Sequence, residues 1–209
     1  MSRDWRKAFI KYDAKELRSL LSLLEGNINA QAARVVERIE AFENTPIDPE
    51  ADEGWVEHQR GQLDDEFFTI PKHQLWVYGG FMVTVLCWLC DTVMRYMHPR
   101  KHAQWPIFMA RMGEEVPIER EPYLGSILSE WLVEPSDLVE RLKTWIDVRN
   151  RFVHSYGFVA SAEDRERLAR VLGVEFNPDM RMQLTADMCR SLLRDAEVAA
   201  INIIGNTRE

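Results

Sequence analysis

The chain has 209 residues and sets 26 Lys and Arg against 34 Asp and Glu, a formal charge of -8. That length suits one domain that buries about 70% of its unfolded surface, so no metal or disulfide is needed to hold a core. A hydrophobic fraction of 46% argues against both a disordered and a membrane-embedded chain, and net acidity argues against nonspecific coating of nucleic acid. Three cysteines cannot all pair, and Met1 to Lys7 lacks the character of a signal peptide, so a reducing, cytoplasmic location is expected.

Apolar residues recur at helical spacing almost throughout, which predicts an all-α bundle in a single domain over 1–209. Asp13 and Glu16 resemble a capping box ahead of Leu17, Leu20, Leu21 and Leu24; Gly26-Asn27 predicts a break, and a second helix follows from Ala30 to Phe42. Residues 1–47 are thus expected as an N-terminal helical hairpin, an extension to a core over 71–204. Between Pro46 and the next apolar run the charge is concentrated. Asp48, Glu50, Asp52, Glu53, Glu57, Asp64, Asp65 and Glu66 face one base, Arg60, which leaves the rest of the chain near neutrality. This segment reads as a solvated loop and helix face, with a docking strip or nucleic-acid mimic as the functional alternative. A short helix is expected over Trp55 to Phe68, and a long one with Pro71 in its first turn, ending before Pro99.

Leu75 to Cys90 is almost wholly apolar, yet it contains Tyr78, Gly79, Gly80 and Thr84. It is expected to be the most buried helix of the bundle rather than a membrane span. Cys87 and Cys90 then read as small core residues, and Trp76, Trp88, Trp131 and Trp145 as core-facing. His98 and His102 are separated by Pro99, and the stretch from Arg95 to His102 holds no acid. It suits an anion or a basic helix end better than a metal. A loop over 113–122 and a short helix from Tyr123 to Val133 come next. Pro135-Ser136 opens a helix ending near Gly157. Ser161 and Asp164 box the start of another that stops at Gly173, and Thr185 caps a last one reaching Ile204.

The segment Val148-Arg149-Asn150-Arg151-Phe152-Val153-His154-Ser155-Tyr156-Gly157 carries chemical information. Arg-x4-His alone is expected about 0.5 times by chance at this composition; requiring Asn after the Arg and Tyr two after the His lowers that to roughly 0.0004. His154 can carry a proton, because an imidazole ordinarily titrates near neutral pH. Arg149 can hold two phosphate oxygens with its planar fork. Asn150 can orient the imidazole or a phosphate oxygen, and Tyr156 offers a hydroxyl or a ring on which a base can stack. On an ideal helix Asn150 and His154 lie about 40° apart, whereas Arg149 lies about 140° from His154, within the apolar arc of Leu138, Leu142, Trp145 and Phe152. An arginine there needs a partner, or must reach across to a second protomer.

These residues resemble the signature of the HEPN superfamily (higher eukaryotes and prokaryotes nucleotide-binding). Its members are helical bundles, and many are metal-independent ribonucleases with an Arg-x4-6-His motif. The Arg-Asn-x3-His-x-Tyr form is similar to that of HEPN toxins paired with a nucleotidyltransferase antitoxin that modifies the tyrosine. The resemblance implies an antiparallel HEPN-like bundle over 71–204 and an endoribonuclease acting as a toxin or antiviral defence effector at a homodimer cleft. It implies catalytic Arg149, His154 and Asn150, substrate contacts from Tyr156 and Arg151, no metal and no cofactor. RNA is the implied substrate, and an antitoxin or regulatory protein a further partner. The alternative is a catalytically inactive HEPN-like module that binds a nucleotide or a protein.

Overall fold

Ile10, Ala14, Leu21, Ile28 and Val35 are buried in α1 (Trp5–Asn44), with Leu17 and Leu24 partly buried between them, so one apolar seam runs along the helix. The computed structural model describes residues 5–46, 52–97, 128 and 136–206. Within them the chain is all-α, with five helices and one small β-hairpin. The break expected at Gly26-Asn27 does not occur, and residues 5–44 are one helix rather than a hairpin. A Cβ at Gly26 would meet nothing within 4 Å, and Leu24 and Ile28 stay on the seam at either side. A helical glycine costs about 1 kcal/mol relative to alanine, less than the packing of the seam contributes. Asp13 therefore lies inside the helix, where its Oδ2 accepts a hydrogen bond from Trp88 Nε1 at 3.3 Å.

α2 (Glu53–Met97) is likewise continuous and carries Pro71 in its interior, where two helices were expected. Pro71 removes one backbone donor. α1 secures α2 on both sides of it, through the Arg38–Glu66 ion pair and the contact of Gln31 Nε2 with His73 Nδ1 at 3.2 Å. These pairs set α1 and α2 antiparallel. The acidic stretch from Asp52 to Glu66 is exposed or half-buried apart from Leu63.

α3 (Ser136–Ser155), α4 (Ala162–Leu172) and α5 (Ala186–Asn206) complete the helices. The starts and stops expected for these three match the structure. Ser161 accepts from Asp164 N, Gly173 ends α4 in the left-handed region, and Thr185 Oγ1 accepts from Met188 N at 3.3 Å. α5 runs antiparallel to α1, tied by Arg18–Glu197 and Arg190–Glu25. Its Leu192, Leu193, Ala196, Ala199, Ala200, Ile203 and Ile204 are all buried, and it packs against α1, α2 and α3. Among the described residues α5, not Leu75 to Cys90, is therefore the most enclosed helix. α2 leaves Trp76, Gly80, Thr84 and Cys87 exposed along one edge, and Cys90 half-buried. α2 is long and apolar enough to cross a membrane, and half of its apolar 18-residue stretch is buried inside the bundle.

β1 (Glu175–Phe176) and β2 (Met182–Gln183) pair antiparallel, with Glu175 opposite Gln183 and Phe176 opposite Met182. Asn177-Pro178-Asp179-Met180 makes the turn: Met180 N donates to Asn177 O at 2.9 Å, Asn177 Oδ1 accepts from Arg181 N at 2.8 Å, and Met180 has a φ of 58°. Leu128 is fully buried. The remainder of the expected loop and helix over 113–133, with Trp131, His98 and His102, lies outside the described residues.

Candidate functional site

α3 is built around a buried face of Leu138, Leu142, Trp145, Val148 and Phe152. Its last turn is placed by one close approach. Phe152 lies directly on the backbone of α2 at Gly79, where a Cβ would come within 2.4 Å of the ring. No other residue type fits there without displacing the phenyl group. The helix ends through two successive left-handed residues, Tyr156 (φ 50°) and Gly157 (φ 77°). Tyr156 N donates to Phe152 O at 3.1 Å and Gly157 N to Arg151 O at 3.0 Å. The hairpin then holds the exit. Arg181 Nη1 donates to Tyr156 O at 2.9 Å, Met182 N to Gly157 O at 2.9 Å, and Val159 N to Met180 O at 3.0 Å.

Around α3 the motif residues follow one another as a continuous strip. Asn150 and His154 are exposed on one side, Val153 is 44% exposed beside them, and Arg149 is half-buried next to Asn150. Arg149 Nη1 donates to Asn150 Oδ1 at 3.0 Å, so the asparagine spans part of the angular gap between guanidinium and imidazole. Arg149 thus sits at the border of the apolar arc rather than inside it.

The other arginines of α3 are held differently. Arg141 places Nε and Nη2 on Asp195, both at 3.0 Å, and Nη1 on Asp137; Trp145 Nε1 donates to the same Asp195 at 3.3 Å. Asp195 first, and then Asp137, raise the Arg141 pKa against the opposing effect of burial, and Arg141 in turn lowers that of Asp137. Arg151 Nε reaches Asp147 at 3.2 Å and its Nη2 reaches Asp164 at 2.8 Å. Arg167 of α4 binds the same Asp147, whose carboxylate is the largest cause of its raised pKa. Arg151 therefore clasps α3 to α4, and Asp147, although on the His154 side of α3, is occupied by two guanidinium groups. Among the described residues Arg149 has no carboxylate partner, and the His154 imidazole has no hydrogen-bond partner.

Trp76 is the residue that sequence reasoning misplaced. It was expected in the core, yet it is 55% exposed. Its ring centroid lies 5.5 Å from those of Phe152 and Tyr156, edge-on to the first and tilted to the second. Nothing in residues 71–90 alone distinguishes this tryptophan from Trp88, which is partly buried against the core. Among the described residues, no three His, Cys, Asp or Glu side chains gather as a metal site would require. No family model matches the chain, no curated protein is similar to it in sequence, and no solved structure is similar to it in fold.

Proposed function

We propose that the chain is a metal-independent endoribonuclease of the HEPN type, a toxin or defence effector working in the cytoplasm, with Arg149 and His154 at a homodimer cleft. One observation carries the reading. Arg141, Arg151 and Arg167 are each neutralised by carboxylates, whereas Arg149 keeps its charge available beside an exposed asparagine and imidazole. A structural arginine in that position would be expected to find an anion; a phosphate ligand supplies one.

The chemistry follows from the strip. The ribose 2′-OH loses its proton to an imidazole and attacks the neighbouring phosphorus. The bond to the 5′-oxygen breaks, and that oxygen takes up a proton, leaving a 2′,3′-cyclic phosphate and a 5′-OH. His154 moves the protons, and Arg149 stabilises charge on the pentacoordinate phosphate. Asn150 orients the guanidinium through the bond it already accepts. Two copies of the strip facing one another would supply one imidazole for each proton transfer, and an antitoxin or regulatory protein would act by covering it.

The test is digestion of RNA by purified protein with and without EDTA, together with light scattering. Wild type should be a dimer, cut in EDTA and leave cyclic phosphate ends. His154→Ala and a folded Arg149→Ala should each lose about 10²–10⁴-fold in rate. If folded wild type leaves RNA intact, or His154→Ala cuts equally fast, the ribonuclease assignment fails and an inactive HEPN-like binding module takes its place.

A further inference from the structure

The strip does not stop at Arg149. One turn further along α3 on that side stand Phe152 and then Tyr156, with Trp76 of α2 against both rings. Phe152 is buried, as a ring that fills a core should be, but Trp76 is 55% and Tyr156 56% exposed. Two large rings in contact, each more than half open to solvent, are not explained by burial of apolar surface. The backbone adds an independent observation. Tyr156 is a bulky residue in the left-handed region, and the Arg181 guanidinium, the Gly157 carbonyl and the helix end all hold it there. The chain maintains an unfavourable conformation at the point that displays this ring.

We propose that Trp76 and Tyr156 form a stacking platform for a nucleobase beside the phosphate held by Arg149, which makes the site selective for single-stranded RNA. The inference rests on the ribonuclease reading and names its substrate class. Aromatic faces accept any base whose own face is free, and bases within a duplex are already stacked on their neighbours. Arg149 and Phe152 are neighbours across one helical turn, roughly 5–6 Å between their Cβ atoms. Arg149 and Tyr156, seven residues apart, lie about 20° apart around the helical sweep with Phe152 between them, so positive charge and rings share one side of α3. An apolar protein partner would gain nothing from a guanidinium that has no carboxylate partner among the described residues.

Binding is measured by fluorescence anisotropy on the His154→Ala protein, which retains the platform, with a short labelled RNA either single-stranded or annealed to its complement. The single strand should bind more tightly. Adding Trp76→Ala should weaken that binding by about fivefold or more, Trp76→Phe should retain most of it, and neither should change duplex binding. Circular dichroism melts confirm that the variants fold, and Tyr156→Ala provides a second probe should Trp76→Ala fail to do so. Equal affinity for single strand and duplex, or no effect of a folded Trp76→Ala, overturns the platform. A variant that turns a dimer into a monomer without altering RNA affinity also overturns it, by making the rings an interchain contact. If wild type cuts RNA while Trp76→Ala changes neither KM nor strand preference, the platform fails and the ribonuclease stands. If Trp76-dependent binding is found in a protein that cuts nothing, the ribonuclease fails and the platform stands.

Discussion

Tyr156 shows how a single backbone angle separates two contributions that usually travel together. At most positions Gly destabilises relative to Ala by roughly 0.5–1 kcal/mol through unfolded-state entropy. At a φ of 50° the order should reverse. Tyr156→Ala loses the contact with Trp76 and keeps the strain, whereas Tyr156→Gly loses the contact and relieves a left-handed penalty of about 1–2 kcal/mol. Urea denaturation should therefore find the Gly variant more stable than the Ala variant by about 1 kcal/mol, with both impaired in RNA binding. The opposite order would mean that the left-handed conformation does not persist in solution. Gly79 is the complementary case, an absent side chain that lets Phe152 sit on α2 and so aims the last turn of α3.

At the level of elements, polar clasps decide how α3 is held. Asp195 is a buried carboxylate on α5 that serves Arg141 and the indole of Trp145 together, so it fixes the start of α3 against the most enclosed helix. Asp195→Ala leaves Nε and Nη2 of Arg141 and a buried indole N–H without their acceptor, with Asp137 still on Nη1, and should cost about 2–3 kcal/mol. Asp195→Asn keeps the shape and one acceptor and should cost less. The Asp147–Arg151–Asp164–Arg167 cluster is half-exposed, so removing a member should matter much less than removing Asp195. Equal losses at Asp195 and Asp147 in chemical denaturation would contradict this ranking. The division also marks out the candidate site: the arginines of α3 that join helices are paired with carboxylates, and among the described residues the arginine of the motif is not.

Across the whole molecule, burial is unevenly distributed. α5 and the parts of α1, α2 and α3 packed on it hold most of the core, whereas residues 36–46 and 53–62 contain no buried side chain. The far ends of α1 and α2 are joined by the Arg38–Glu66 ion pair. Native-state hydrogen exchange should find the slowest amides in α5 and much faster exchange over 36–44 and 53–62, although all of them are helical. Uniform protection along α1 would show that something further covers its far end. The same distribution sets the cysteine chemistry: burial pushes the Cys189 thiol up to about 12, whereas Cys87 is exposed. Cys189 favours its protonated form when folded, so its contribution to stability is complete below the ordinary thiol range and lost as pH rises towards 12.

The all-α class, the three C-terminal helices with their caps and the motif strip of Asn150 and His154 were all legible in the sequence. Each depends on contacts within a few residues: a side chain reaching a nearby amide, or a helical period of 3.6. The same local rules failed at Gly26 and Pro71, where break signals are overridden by a seam and cross-helix pairs spanning both sides. They failed again at Trp76, because periodicity reports that a residue is apolar and not which edge of its helix a neighbour leaves uncovered. The ring pair across two helices arises only when α2 and α3 meet at Gly79. Local sequence carries the chemistry of the motif, but the surface around it is decided by helices distant in the chain, since exposure depends on what packs alongside.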